Sequence, residues 1–449
     1  MDLRRLLDDG KPIFGTDGVR GAAGSELSAE LAMDIGRAAG SYLRGGPVVV
    51  GQDTRRSSSM LSAALQAGFH SAGIDTVDVG VLPSGGISYL ASSGDATMGA
   101  IVSASHNPAD DNGIKLLAAR GTKLPDEVER ELEERMRASG RSVAVGSAIG
   151  YRREDGQGYY SYLDHLIASS RYSLNGLELA VDCANGSAYK AAPELFERLN
   201  ASAKVFNAEP NGGNINDGCG ATSPEFIAKN AGGRIGLAFD GDADRLIAID
   251  EDGKVANGDV IMAIIARHLK EQGRLKKNLV VATVMSNLGF RKAMFEADIE
   301  VVETPVGDRY VMEALIERKA LLGGEQSGHI IFADVAQTGD GLLTAVQLLN
   351  VVAGTGKQLR QLRAEAITEF PQILVNVPVD RGVDLATLDS LWDEVGAIED
   401  ELGDDGRVLV RPSGTEPLVR IMVEAPSKEL AGRYADRLVA ATQDAITKE

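Results

Sequence analysis

Hydrophobic and polar positions along this chain repeat one local pattern three times. Val48-Val49-Val50 is a short apolar run ending in Gly51-Gln52-Asp53; a helical pattern starts near Ser58, and a second strand follows at Thr76-Val77-Asp78-Val79. The unit recurs as Leu179-Ala180-Val181 ending at Asp182, a helix through Ala191, Pro193, Leu195 and Leu199, and a strand at Ala203-Lys204-Val205-Phe206. It recurs again as Val280-Val281-Ala282-Thr283, a helix around Gly289–Glu296, and a strand at Glu300-Val301-Val302. Apolar runs this short, alternating with helices, predict parallel sheets covered by helices. Functional side chains are then expected at the carboxyl ends of strands.

Beyond residue 368 the pattern changes. Ile373–Val379 reads as a strand and Leu385–Leu402 as a helix; Val408–Val410 and Val419–Val423 flank a loop that starts at Arg411, and an amphipathic helix runs from about Lys428. The predicted fold class is α/β: three related α/β domains with mixed, mainly parallel sheets, plus a C-terminal α+β domain. The expected domains are 1–150, 151–252, 253–368 and 369–449, with a hinge at Glu369-Phe370-Pro371, where proline resists helix continuation.

Length and composition agree. A chain of 449 residues is too long for one core, and 5% aromatic residues with 52 glycines suit an α/β enzyme with many tight turns. A formal net charge of −19 argues against a nucleic-acid partner. It also means that an anionic substrate needs a local cluster of cations, or a metal. Cys183 and Cys219 are too few for a disulfide framework and suit a reducing cytosol. No long apolar run follows Met1-Asp2-Leu3-Arg4-Arg5, and no stretch approaches the roughly 20 apolar residues of a membrane span. A soluble, cytoplasmic protein is expected.

Five loops carry the chemistry. Val102-Ser103-Ala104-Ser105-His106-Asn107-Pro108 places a hydroxyl in a turn favoured by Asn107 and Pro108, with Lys115 ten residues on. Taken alone it is as readily an ordinary turn. A serine acting on phosphorus needs a base and charge stabilisation, and Lys115 offers one of these. Asp240-Gly241-Asp242-Ala243-Asp244-Arg245 lies between the strand runs Gly236–Phe239 and Leu246–Ile249. In an extended segment its alternating carboxylates converge on one point, and an all-oxygen set suits Mg2+. An EF-hand is the structural rival, since Glu251 is twelfth in such a loop. Against it, Arg245 stands where that loop needs glycine.

Glu325, Ser327 and His329 alternate within a glycine-flanked loop and could meet successive sugar hydroxyls. Arg411, Ser413, Thr415 and Arg420 offer an anion pocket, although a hairpin turn with incidental arginines is the plainer alternative. Phe14–Gly21 is a fifth polar, glycine-rich loop, whose Arg20 could stabilise a phosphoryl group in flight. Cys219 has no basic neighbour to lower its pKa and reads as structural.

The Ser105, Asp240–Arg245, Gly324–His329 and Arg411–Pro417 loops, in this order, resemble the four signature loops of the α-D-phosphohexomutases, and the resemblance runs over essentially the whole chain. Phe14–Gly21, Ser103–Pro108, Asn214–Gly220, Val306–Val311 and Gly324–His329 resemble the phosphoglucosamine mutase branch most. Ala243 departs mildly from the glycine of many relatives. The resemblance implies four domains around a central cleft, Ser105 as a phosphoserine, and one Mg2+ per subunit held by Asp240, Asp242, Asp244 and the phosphorylated Ser105. It further implies catalytic roles for Ser105, His106, Lys115, His329, Arg20 and Arg245. Glu325, Ser327, Gly307, Asp308 and Arg309 would bind the sugar phosphate; Arg411, Ser413, Gly414, Thr415 and Arg420 would hold its non-reacting phosphate. A hexosamine 1,6-bisphosphate is the implied activator and intermediate, small-molecule sugar phosphates are the implied partners, and homodimers are the family's tendency. Phosphomannomutase/phosphoglucomutase chemistry on another sugar, a metal-dependent phosphatase and an inactive sugar-phosphate sensor are the rivals.

Overall fold

The structure, a computed structural model, describes residues 3–15, 17–138, 143–379, 385–412 and 418–448. Packing divides the chain into two units: Met1–Met285 with Ile299–Ala366, and Ser286–Asp298 with Ile367–Glu449. Among the described residues no helix is long and apolar enough to cross a membrane.

The first unit contains three mixed sheets. The first comprises β1 (Val19–Ala22), β2 (Val48–Gln52), β3 (Thr76–Val81), β4 (Met98–Val102), β5 (Asp111–Ala118) and β6 (Arg152–Glu154), in the order β1-β5-β4-β2-β3-β6. β2 runs parallel to β3 and β4, as its buried valines predict, while β5 is antiparallel to both β4 and β1. The second sheet comprises β7 (Glu178–Asp182), β8 (Ser202–Phe206), β9 (Ile235–Phe239), β10 (Leu246–Ile249) and β11 (Val255–Ala256), in the order β11-β10-β9-β7-β8. The third comprises β12 (Leu279–Thr283), β13 (Glu300–Thr304), β14 (Leu322–Gly324) and β15 (Ile330–Phe332), in the order β13-β12-β14-β15.

One device recurs in all three sheets. A strand parallel to its neighbour is followed by an antiparallel return strand, and the connection carries the polar loop. β4 returns as β5 through the Ser105 turn, with Val102 opposite Ile114 and Ile101 opposite Lys115. β9 returns as β10 through Asp240–Arg245, with Phe239 opposite Leu246. β14 returns as β15 through Glu325–His329, with Gly324 opposite Ile330. Against the first sheet, the helices Ala29–Tyr42 and Ser58–Ser71 approach very closely. A Cβ on Gly36 would lie 2.1 Å from the Leu65 carbonyl oxygen, and one on Gly68 would lie 2.2 Å from that of Met33.

The second unit has an antiparallel sheet of β16 (Gln372–Pro378), β17 (Arg407–Pro412) and β18 (Leu418–Glu424), in the order β16-β18-β17. The helices Asp389–Leu402 and Lys428–Lys448 bury Leu391, Ile398, Tyr434 and Leu438 in one core with Val377, Val419 and Ile421. The helix expected from Leu385 begins instead at Asp389, after a short 3-10 turn at Leu385–Thr387 whose first carbonyl, that of Leu385, accepts from the Trp392 indole at 2.7 Å. Leu288–Glu296 belongs to this unit: the buried Glu424 carboxylate accepts from Asn287 Nδ2 at 3.0 Å and from the Leu288 backbone N–H at 3.0 Å.

Candidate active site

Ser105 occupies the turn after β4 with φ 49°, a left-handed conformation uncommon for any residue but glycine. Four groups hold it there. The Ser103 hydroxyl accepts from the Ser105 N–H at 2.9 Å and itself donates to Asp53 at 2.6 Å. Arg55, paired with Asp53 at 2.8 Å and fully buried, donates to the carbonyls of Ser105 and Asn107 at 2.9 Å each. Asn216, from the second sheet's loops, donates to the same two carbonyls at 2.9 and 3.1 Å. The Ser105 hydroxyl then donates to Asp240 Oδ2 at 2.6 Å and lies 3.3 Å from His106 Nδ1.

Asp240, Asp242 and Asp244 are all buried, each with a carboxylate oxygen within 4.8 Å of the others'. The segment is a turn rather than the extended run expected from its alternation. Ala243 sits at φ 58° and its N–H reaches back to the Asp240 carbonyl at 3.0 Å, which brings the side chains together within two residues of each other. Glycine would take this position without strain. Burial and the neighbouring Asp244 and Asp242 charges push Asp240 well above the usual carboxylate range. Burial and Asp242 push Asp244 up to about 6. Asp242 is also raised by burial, but Lys115 and a hydrogen bond from Ser84 outweigh this and its net shift is downward. Oδ1 of Asp242 and Oδ1 of Asp244 are buried without a hydrogen-bond partner. Three converging carboxylates with orphaned oxygens fit a hard divalent cation. The EF-hand reading fails at Glu251, which instead accepts from the Leu359 and Arg360 N–H groups at 2.9 Å, at the start of the helix Leu359–Ala366.

Cations surround the cluster. Lys115 lies beside Asp17 at 2.8 Å, and Arg20 pairs with the other oxygen of that carboxylate. Burial alone would lower Lys115, but Asp17, Asp308, Asp244 and Asp242 outweigh it and hold the ammonium above the usual lysine range. Burial opposes charge on Asp17 too, yet Lys115 and Arg20 hold it well below the carboxylate range. Burial, reinforced by Arg245 and Arg20, lowers His106 to about 4, so its ring is neutral at pH 7. The Arg245 backbone N–H donates to Asp240 Oδ1 at 3.2 Å.

The third sheet's loop joins the same group. Residues 245 and 329 form a β-bridge, and His329 Nε2 lies 3.8 Å from Asp244 Oδ2. His329 is buried, and neither ring nitrogen has a hydrogen-bond partner. Glu325 and Ser327 are half-buried and linked at 3.4 Å, and Glu325 Oε1 accepts from the Gly307 N–H at 3.0 Å. Gly307 precedes the helix Asp308–Arg318, in which Arg309 pairs with Glu313 at 2.8 Å and with Asp126.

In the second unit Arg411, expected to open the loop, lies instead on β17, directly opposite Arg420 on β18, where a strand was expected. Ser413, Gly414 and Thr415 lie outside the described residues. Two surface grooves, of about 430 and 860 Å³, are lined by none of these site residues. Cys219 is buried with its thiol pushed up to about 12 by burial, as suits a structural residue.

Sequence reasoning missed Asp17, Asp53, Arg55, Ser84 and Asn216. A strand-end signal was available for Asp53 and Arg55, which directly follow β2, and for Ser84, which follows β3. Asp17 and Asn216 fell inside Phe14–Gly21 and Asn214–Gly220, two of the stretches that carried the family resemblance, but nothing in their residue type assigned them these contacts.

Four segments match descriptions of one family in order: Phosphoglucomutase/phosphomannomutase, alpha/beta/alpha domain I over residues 11–142, domain II over 158–253 and domain III over 257–370, and its C-terminal domain over 374–441. Curated phosphoglucosamine mutases from Bacillus pumilus and Bacillus subtilis are each 47% identical to it, over 440 and 435 residues, covering 96% and 95% of this chain and 98% and 97% of theirs. A crystal structure of a phosphoglucomutase/phosphomannomutase family protein from Burkholderia thailandensis superposes with a TM-score of 0.80 at 27% identity, covering 96% of this chain and 97% of that one. The chain therefore belongs to the phosphoglucomutase/phosphomannomutase family, on its phosphoglucosamine mutase branch.

Proposed function

We propose that this chain interconverts glucosamine 6-phosphate and glucosamine 1-phosphate through a phosphorylated Ser105 and a glucosamine 1,6-bisphosphate intermediate. The observation that carries the reading is the Ser105 hydroxyl, strained into a left-handed turn and set 2.6 Å from a buried carboxylate of a three-aspartate cluster. The relatives' shared identity supplies the sugar.

In the first half-reaction the sugar O1 attacks the phosphorus on Ser105. The P–O bond to Ser105 breaks, the bond to O1 forms, and the O1 proton passes to the protein. The bisphosphate then turns. Ser105 Oγ attacks the phosphorus on O6, that P–O bond breaks, and O6 takes a proton. Lys115 and Arg20, kept cationic and oriented by Asp17, offset charge on the phosphoryl oxygens. Neutral His106 lies within reach of the Ser105 oxygen, and His329 and Arg245 serve the opposite side of the cluster. Glu325 and Ser327 meet sugar hydroxyls, with Gly307, Asp308 and Arg309 lining the same loop region. Arg411, Ser413, Gly414, Thr415 and Arg420 are the proposed phosphate-binding group of the C-terminal unit. A Mg2+ held by Asp240, Asp242, Asp244 and the phosphorylated Ser105 supplies charge neutralisation and polarisation of phosphoryl oxygens when bound. A hexosamine 1,6-bisphosphate is the proposed source of phosphate for an unloaded Ser105.

The test is the intact mass of the purified protein with its phosphosite mapped, before and after glucosamine 6-phosphate and Mg2+ are added. A phosphate on Ser105 that leaves as glucosamine 1-phosphate appears is the expected result. Ser105→Ala should fall below about one thousandth of wild-type turnover. A serine that never carries phosphate, even with a 1,6-bisphosphate supplied, sinks the mechanism. Faster turnover of glucose or mannose phosphates moves the chain to the related mutase activity, and stoichiometric inorganic phosphate would mark a phosphatase.

A further inference from the structure

We propose that Ser84 is a positioning residue for the metal site, selecting which oxygen of Asp242 faces the cation. This rests on the assignment of a divalent cation to the Asp240, Asp242 and Asp244 cluster.

Ser84 opens the helix Ser84–Ser93, which follows β3 in the first sheet, while Asp242 lies in the β9–β10 connection of the second, 158 residues later. Two bonds join them. The Ser84 N–H donates to the Asp242 carbonyl at 2.9 Å, and the Ser84 hydroxyl donates to Asp242 Oδ2 at 2.7 Å. Both residues are buried. A hydroxyl at a helix start commonly caps the helix, but this helix has Pro83 at its cap position and no side-chain capping bond. The Ser84 hydroxyl is therefore spent on the carboxylate.

The consequence for Asp242 is asymmetric. Oδ2 is satisfied by a neutral donor, whereas Oδ1 is buried with no hydrogen-bond partner. A buried orphan oxygen is costly unless something takes it, and beside two further carboxylates that something is a cation. By tying one oxygen, Ser84 fixes the carboxylate plane and leaves one ligand atom in place before the ion arrives. Outer partners of this kind commonly govern metal affinity by ten-fold or more.

Ser84 has little freedom to drift. A Cβ on the adjacent Gly85 would lie 2.3 Å from Asp340 Oδ2, so the helix start is packed directly on that residue. Asp340 accepts from the Tyr162 hydroxyl at 2.9 and 3.0 Å and caps the helix Gly341–Thr355. The Gly341 N–H donates in turn to the Ala243 carbonyl at 2.9 Å, inside the metal loop. All three sheets thus supply a group to the loop's frame.

The test titrates the full-length chain with Mn2+, reading free ion by its EPR signal, in wild type, Ser84→Ala and Ser84→Cys. Cysteine keeps the side-chain size but is a weak donor, and it serves as the readout where alanine fails to fold. Thermal unfolding without metal is measured in parallel. Mn2+ affinity about ten-fold or more weaker in the folded variants is expected. A role confined to stability would lower the metal-free midpoint and leave Mn2+ binding untouched, which overturns the proposal. Wild-type protein that binds no Mn2+ removes the metal assignment itself, and Ser84's role with it.

Discussion

Arg55 shows how much of this site rests on a side chain that touches no substrate in the proposed reaction. Its guanidinium is fully buried, paired with Asp53, and donates to the carbonyls of Ser105, Asn107 and Asp111. Arg55→Met removes the charge and leaves the buried Asp53 carboxylate without its counter-charge, while the Ser105 and Asn107 carbonyls keep only Asn216 as a donor. Breaking such a pair from one side costs about 3–5 kcal/mol. A clearly lower urea midpoint, together with loss of turnover, is the expected outcome; a variant as stable and active as wild type would refute this account of the turn. At this scale the sequence was legible wherever chemistry is local. Ser105 stands out beside Asn107-Pro108, and three aspartates two residues apart announce a cation. Arg55 and Asn216 did not stand out because their partners are main-chain carbonyls 50 and 111 residues away, which leave no mark on residue type. The aspartates converge for a different reason than alternation suggests, since the bend at Ala243 does what a flat strand was expected to do.

Between elements, close approach replaces side-chain bulk. The helices Ala29–Tyr42 and Ser58–Ser71 meet where Gly36 and Gly68 leave no room for a methyl group. Gly68→Ala would place a carbon 2.2 Å from the Met33 carbonyl oxygen and 2.7 Å from the Arg37 nitrogen, both backbone atoms with no flexible end to move aside. Helical propensity favours alanine by about 1 kcal/mol, but the helices must separate, and overpacking costs typically 1–3 kcal/mol or more. A drop in the thermal midpoint is the expected net result, and an increase would show that the contact is softer than its geometry. The strand–helix–strand repeat was legible because buried parallel strands are written as short apolar runs. Of the three return strands, β10 was legible as the apolar run Leu246–Ile249, and the other two were harder to see. β5 has charged and polar residues at Asp111, Asn112 and Lys115 with no regular alternation, and β14 and β15 are only three residues each, too short for a periodicity to declare itself.

For the whole molecule the charge balance matters most. A net charge of −19 repels a sugar phosphate at a distance, while Lys115, Arg20 and Arg245 attract it once it is close. The screening length shrinks from about 30 Å at 0.01 M salt to about 10 Å at 0.1 M. Added neutral salt should therefore raise kcat/KM over this range, by weakening the long repulsion more than the short attraction. Initial rates at fixed Mg2+ test this, and a steady fall would show that the local cations dominate even at long range.

The interlocked loops constrain inheritance. Asn216 of the second sheet holds carbonyls of the first sheet's turn, Ser84 of the first holds Asp242 of the second, and Gly341 of the third holds Ala243 of the second. A recombination that replaced one sheet with that of a distant relative would have to bring matching partners on both sides of every such bond. The chain is thus expected to resist exchange of its parts, and its segments to descend together.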